Sequence, residues 1–372
     1  MKKTLQRIGI YFMAALYVSV LSCSGDPKDG DDAFYTNPII SGTQSTAFHF
    51  YDSVYYYLRN VNGHILISSM KDPADFNEKN EKSACDMKGK YGLGHLWHPQ
   101  MIRLDGKWYI YVTADDGDTD NHKMYVLENP EEDPLKGEFV MKARLQTDKD
   151  DNWAMHGNVF SHKGRLYMIW SGWESRRVYV EKQCLYIAEM DTPWSFCSDR
   201  VMISEPEYEW ELQWIQRDGS SSTRYPVYVN ENPFFFCNGQ TDRIHLFYSA
   251  SANWTAYHCV GELTADKNAD LLDPASWKKN PEPVFRENRK DKIFGPDMPF
   301  IIPSHDGTRF YMVYSAMKKD SGGYFTDVYC QPIAIRNGRP DLGVPASRET
   351  RLRKISTLQH YLPSKNGDTS KE

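Results

Sequence analysis

The 372-residue chain lacks the patterns that mark most nucleotide, redox and nucleic-acid proteins. It contains no glycine-rich phosphate loop and no dinucleotide fingerprint, so nothing in it is arranged to cradle a pyrophosphate. Its seven cysteines include no Cys-x-x-Cys pair, which argues against a thiolate zinc site and against thioredoxin chemistry. There is no excess of basic charge: Lys plus Arg is 44 against 50 acidic residues, too anionic a balance to follow the phosphates of duplex nucleic acid. The residues around Ser171-Gly172 lack the nucleophile elbow of a serine hydrolase. Long helical periodicity is nearly absent. Only Asp273-Pro274-Ala275-Ser276-Trp277 reads as a short helical turn, with Asp273 as its cap and Pro274 at the first position. What the chain does hold is aromatic: 24 Tyr, 17 Phe and 10 Trp in a sequence that is 40% hydrophobic. That content supports a substantial core and excludes disorder as the main state. Tyr and Trp favour pleated surfaces and clefts where a flat apolar face meets a polar ligand.

The one sustained apolar run, from Ile8 to Leu21, follows Lys2, Lys3 and Arg7. It is too short for a comfortable bilayer span and has the basic start of a secretory leader. Its end, Leu21-Ser22-Cys23, resembles the lipobox of bacterial lipoproteins. That resemblance implies a lipid on Cys23 and attachment to a membrane through it. The acidic stretch Ser24 to Asp32 reads as a tether. It is similar to surface-export signals of some Gram-negative lipoproteins, implying an outer-membrane or cell-surface location. The expected organisation is a leader over 1–22, a tether over 23–33 and a folded domain over 34–346. A tail over 347–372 is expected partly to close the fold against its first module and partly to stay loose. No interdomain linker separates Phe34 from Pro340, and a monomer is the expected state. The six later cysteines, Cys85, Cys184, Cys197, Cys237, Cys259 and Cys330, read as small buried hydrophobes; their spacing fixes no disulfide pairing.

One unit recurs along the domain: a turn bearing Gly, Asp or Asn, then an aromatic-rich alternating run. It occurs at Tyr51 to Tyr57, Asp105 to Tyr111, Lys163 to Trp170, Asp242 to Tyr248 and Asp306 to Tyr314. Partner runs follow at Met124 to Leu127, Cys184 to Ala188, Cys259 to Leu263 and Val328 to Ile333. Alternation bounded by turn residues argues for strands. A strand unit that returns five times predicts an all-β fold, a five-bladed β-propeller.

Several stretches resemble glycoside hydrolase family 43, propellers that trim arabinose- and xylose-containing glycans. They are Asp105 to Tyr111, Asn121 to Asn129, Trp170-Ser171-Gly172-Trp173-Glu174, Ile203 to Glu211, Val229-Asn230-Glu231-Asn232-Pro233 and Asp270 to Trp277. The similarity runs from about Asn37 to Pro332, nearest to the branch containing arabinan-trimming α-L-arabinofuranosidases. It implies an oligo- or polysaccharide ligand and, if the chain is active, hydrolysis of O-glycosyl bonds by inversion. Inversion needs one acid for the leaving oxygen and one base for water, roughly 6.5–9.5 Å apart. Glu231, in Asn230-Glu231-Asn232-Pro233, matches the family's acid.

The other two carboxylate positions depart from the family. Where the base belongs, the chain has Gly42-Thr43-Gln44-Ser45, so Gln44 or Ser45 stands there. Neither can take a proton from water unaided. Where the acid-tuning Asp belongs, Trp153-Ala154-Met155-His156-Gly157 puts His156. Trp97-His98-Pro99-Gln100 replaces a common Trp-Ala-Pro-Glu, and Gly295-Pro296-Asp297-Met298 has Met298 where the family often has a metal-holding His. The family's calcium is therefore not carried over; no metal and no cofactor are expected. Two readings stand. In one, hydrolysis survives on a rebuilt apparatus, with His156 as base near its reference pKa of about 6.5 and Asp297 either orienting it or serving as base itself. In the other, the domain binds glycan without turnover. Under both, Trp97, His98, Gln100, Trp153, Trp173 and Trp254 are candidate sugar contacts.

Two remaining constellations read more plainly. His95 and His98 are spaced like metal ligands without a third, so hydrogen bonding is expected of them. Asp115-Asp116-Gly117-Asp118-Thr119-Asp120 mimics part of a calcium loop but lacks a closing Glu, and reads as a solvated hairpin loop.

Overall fold

The computed structural model describes residues 31–176, 179–320 and 326–357. The leader, Cys23, most of the tether and the end of the tail lie outside the described residues. Among the described residues no helix is long and apolar enough to cross a membrane.

Each recurrent unit of the sequence is the second strand of a blade. Blade one runs Ala47–Tyr51, Val54–Val61, His64–Met70 and Lys82–Asp86; blade two runs Gly94–Leu104, Lys107–Asp115, Lys123–Asn129 and Val140–Leu145. Blade three is Ala154–His162, Arg165–Gly172 and Glu181–Thr192, with Ser195–Phe196 and Val201–Ser204 on its outer edge. Blade four is Val227–Phe236, Ile244–Ala250, Cys259–Ala265 and Lys278–Lys279. Blade five is Phe294–Pro303, Phe310–Met317 and Thr326–Arg336, and its fourth strand comes from the other end of the chain, Ile40–Ser41.

That borrowed strand closes the ring. Ile40 pairs with Val328 and Ser41 with Asp327. Asn37 locks the junction from its side chain: its Nδ2 donates to Cys330 O at 3.0 Å and its Oδ1 accepts from Cys330 N at 2.8 Å. A second seam joins Phe34–Tyr35 to Leu352–Arg353.

The alternation in each strand sends one set of side chains to each neighbouring blade. The core is accordingly a series of slabs between blades. Leu58, Ile65, Ile110 and Leu127 fill the gap between blades one and two; Met168, Trp170, Tyr111 and Tyr186 fill the next. Three further slabs follow around the ring, the last joining Tyr57 to Val313 and Val328. Trp108 and Trp170 are wholly buried, each covering an area that side chains of this size contribute only in close packing.

One expectation needs amending. Cys85, Cys184, Cys259 and Cys330 are buried free thiols, but Cys197 is exposed and Cys237 half-buried, because both fall where their strands have ended. The short turn at Pro274–Ser276 forms with Asp273 accepting from Ala275 N.

Candidate active site

The innermost strands meet around the axis, and four of them are interrupted at one place. Register breaks fall between Trp97 and Gln100, Met155 and Asn158, Glu231 and Phe234, and Asp297 and Phe300. At each break a residue takes left-handed backbone: His98 at φ 40°, His156 at 56°, Asn232 at 51° and Met298 at 52°. Bulges re-aim side chains. Here the same bulge in successive blades gathers the axial residues of the ring.

Beside them opens a cavity of about 530 Å³, lined by Gln44, Trp97, His98, Trp153, His156, Trp173, Glu181, Glu231 and Trp254 among others. It therefore brings together Gln44, from the segment leading into blade one, with His156 and Glu231, from the first strands of blades three and four. Ser45 also lines the cavity, but its Oγ is engaged, donating to Leu58 O at 2.6 Å. Gln100 is not in the cavity wall; its Oε1 accepts from Val159 N at 3.0 Å, tying blade two to blade three. Asp297, expected on the same channel, is not among the cavity-lining residues either.

Glu231 is 3% exposed. Burial first, then the charge of Asp297, pushes its carboxyl up to about 8, so it carries a proton at neutral pH. His156 Nδ1 lies 3.8 Å from Glu231 Oε2, beyond hydrogen-bonding range. Burial, with His98 nearby, pushes His156 well below an ordinary imidazole, and burial takes His98 down to about 4. Both rings are neutral, and the Nδ1 of each is buried without a hydrogen-bond partner. Among the described residues the hydrogen bonding expected of His98 is thus not seen at its Nδ1, whereas His95 Nδ1 does meet Asp115 at 2.9 Å. A neutral imidazole of low proton affinity is a poor base. It is also too close to Glu231 for the separation that inversion requires.

A residue that the sequence did not single out holds Asp297 in place. His258 is fully buried and its Nε2 lies 2.9 Å from Asp297 Oδ1 and 3.9 Å from Glu231 Oε1. Its Nδ1 bonds Ser251 O at 2.8 Å. Burial alone would lower His258, but Asp297 and then Glu231 raise it above its ordinary value. Burial would raise Asp297, but His258 holds it well down. The same Asp297 oxygen accepts from Asn232 Nδ2 at 3.0 Å. The outcome is an ion pair behind a neutral acid. No local pattern marks His258; it lies in the loop before blade four's third strand.

Glu231, His258 and Asp297 offer ligand atoms within 4.8 Å of one another. Calcium takes six to eight oxygens. A set of two carboxylates and an imidazole whose nitrogen already meets Asp297 does not fit that ion.

The neighbouring Asn230 is clamped on three sides. Its Oδ1 accepts from Ser204 Oγ at 2.6 Å, its Nδ2 donates to Glu211 Oε1 at 2.8 Å, and its carbonyl accepts from Ser171 Oγ at 2.8 Å. Glu211 is wholly buried and also accepts from Tyr248 at 2.9 Å and Lys279 at 3.1 Å. The stretches Ile203 to Glu211 and Asn230 to Pro233 are therefore one structure, and it fixes the backbone from which Glu231 projects.

The aromatic wall is double. Trp153 and Trp173 stack at 4.9 Å and 14°, and Trp97 lies over His122 at 3.8 Å. Trp254 stands opposite with Val227 and Val229, its Nε1 donating to Trp214 O at 2.9 Å. The loop read as a solvated hairpin is part of this wall. Asp115 is buried between His95 and His122, Thr119 O accepts from Trp153 Nε1 at 2.8 Å, and Thr119 and Asp120 line the cavity.

A ring of five blades with a buried acid in an aromatic axial cavity is the architecture of a propeller glycosidase, and the comparisons agree. The profile of Glycosyl hydrolases family 43 matches residues 35–354. The chain is 33% identical over 223 residues to an extracellular exo-α-(1→5)-L-arabinofuranosidase of Streptomyces chartreusis, covering 60% of this chain and 62% of that one. It is 31% identical over 267 residues to α-L-arabinofuranosidase 43 of Humicola insolens, covering 68% and 51%. The chain thus spans about half to two thirds of the length of the curated relatives it matches. The crystal structure of an α-L-arabinofuranosidase from Lactobacillus brevis superposes with TM-score 0.74 at 27% identity, over 85% of this chain and 98% of that one. The protein belongs to glycoside hydrolase family 43, among relatives named as arabinofuranosidases.

Proposed function

We propose that the protein is an exported, lipid-anchored glycosidase that removes sugars from arabinose- or xylose-containing polysaccharide. Cys23 carries the anchor, at the outer membrane or cell surface, and the chain acts as a monomer. One observation carries the hydrolytic reading: Glu231 is buried in the wall of the cavity, and burial with the nearby charge of Asp297 pushes its carboxyl up to about 8. It is a proton donor ready at neutral pH. In the reaction the glycosidic oxygen takes the Glu231 proton as its bond to the anomeric carbon breaks. Water adds to that carbon from the opposite face, giving an inverted hemiacetal and an alcohol. His156, neutral beside the acid, and Gln44 serve as hydrogen-bonding groups to the sugar hydroxyls. The tryptophans of the two walls stack on the sugar C–H faces.

A second reading has a specific observation in its favour. Gln44 and His156 stand where the resemblance places two of the family's carboxylates, which suits a glycan-binding protein without turnover. Incubation of the full chain with arabino- and xylo-oligosaccharides and aryl glycosides separates the two. Release of sugar that Glu231→Gln abolishes supports hydrolysis. Saturable binding without release supports recognition alone. Neither result on any such glycan overturns both.

A further inference from the structure

The hydrolytic reading leaves the activation of water without a residue. We propose that Glu181 is the base that takes the proton from the attacking water. The inference rests on that reading and extends it.

Three carboxylates of described residues line the cavity: Asp120, Glu181 and Glu231. Glu231 is the donor. Asp120 is taken up by a salt bridge to Arg176. Asp297 stands outside the wall, with one oxygen already shared by His258, Asn232 and the Met298 amide. Glu181 remains.

Its placement follows from an unusual seam. Blades three and four are joined by parallel pairing, Glu181 to Val227, Lys182 to Tyr228 and Gln183 to Val229. Strand side chains alternate, so Glu181 and Gln183 share a face, as do Val227, Val229 and Glu231. All five line the cavity. The two glutamates thus belong to one two-stranded floor, Glu181 beside Val227 and Glu231 four residues further along. At about 3.3 Å per residue, that sets their backbones about 13 Å apart along the strand. An inverting pair holds its carboxyls roughly 6.5–9.5 Å apart, so the assignment requires the two side chains to lean toward each other over this floor; the Glu181 charge is among those that raise Glu231.

The carboxylate is held for the task. Gln183 Nε2 donates to Glu181 Oε1 at 2.6 Å. Burial raises its proton affinity above an ordinary glutamate, with Gln183 opposing, which suits a base more than a solvated side chain. In the step, one water O–H bond breaks and its proton goes to Glu181. The water oxygen bonds the anomeric carbon, and the glycosidic C–O bond breaks with the Glu231 proton passing to the leaving oxygen. Solvent then removes the proton from Glu181 and restores that of Glu231.

The test uses the full chain and a substrate on which wild type turns over. Glu181→Ala and Glu181→Gln should each lower kcat by about 10²–10⁴-fold while melting within a few degrees of wild type. Azide should restore turnover to Glu181→Ala, and proton NMR should show a glycosyl azide of anomeric configuration opposite to the substrate. Gln183→Ala should lose far less and gain nothing from azide. Turnover by both Glu181 variants within a few fold of wild type overturns the assignment while leaving the hydrolase reading intact. So does a loss that azide does not rescue. A wild type inert on every glycan overturns both together.

Discussion

Replacing His258 by Phe should unseat a buried charge and so reports whether the axial ion pair exists. His258 Nε2 lies 2.9 Å from Asp297 Oδ1, with both side chains out of water. At an effective dielectric near 20 the attraction at that distance is about 6 kcal/mol, but desolvating both charges offsets much of it. Removing one partner leaves Asp297 charged and unpaired, which costs about 3–5 kcal/mol. For a domain matched over residues 35–354, unfolding entropy of about 2.1 cal/mol/K per residue converts this to a fall in Tm of about 4–7 °C. The effect should depend on pH. His258 is raised above its ordinary value, so its stabilisation is full below about 6.5, the unfolded pKa, and is lost as pH rises through the higher folded value. Asp297 is lowered, so its share is full above about 3.9 and is lost as pH falls through the lower folded value. The gap between wild type and His258→Phe should thus be widest from about pH 4 to 6.5 and narrow above, and adding Asp297→Asn should recover part of it. Thermal melts followed by circular dichroism across pH 4–9 read all of this. A Tm change under about 1 °C at pH 5.5, or a gap that stays constant to pH 9, refutes the buried pair.

Three further outcomes follow from the site. Because Glu231 must be protonated and is pushed up to about 8, kcat/KM should hold through neutral pH and fall above about pH 8; a fall centred near pH 5 contradicts a neutral acid. Trp97→Ala, which opens the half-buried side of the aromatic wall, should raise KM about five- to tenfold with kcat little changed, from the loss of about 1 kcal/mol of stacking; an unchanged KM removes Trp97 from the sugar contacts. Cys23→Ser should move the protein from the membrane pellet to the soluble fraction; continued sedimentation with membranes contradicts the anchor.

Much of the architecture was legible because strand periodicity is local. The five turn-plus-run units, from Val54 to Met317, are the second strand of every blade, and their repetition alone argued for a ring. Glu231 was legible through its neighbours Asn230 and Pro233. The axial set was less so. His98, His156, Asn232 and Met298 share one bulge and one backbone setting, yet the windows around them share only a following Pro or Gly, at 99, 157, 233 and 299. Their equivalence is a matter of register, which sequence does not display. His258, in a loop within blade four, reaches Asp297 on the first strand of blade five, a contact between elements that no local pattern encodes. Glu181 escaped notice for the same reason. Its place in the floor comes from parallel pairing with a strand that follows after a long outer excursion. Asp115 looked solvated because it sits in an acidic run; the two imidazoles that bury it come from either side of that run.

The most direct measurement compares Glu231→Gln with wild type on two substrates of the same sugar, a natural oligosaccharide and an aryl glycoside with a strongly acidic phenol as leaving group. A proton donor is needed for the poor leaving group and hardly at all for the good one. The account predicts a loss of about 10²–10⁴-fold on the oligosaccharide and a much smaller one on the activated glycoside. Equal losses on both substrates, or full activity on the oligosaccharide, would contradict it.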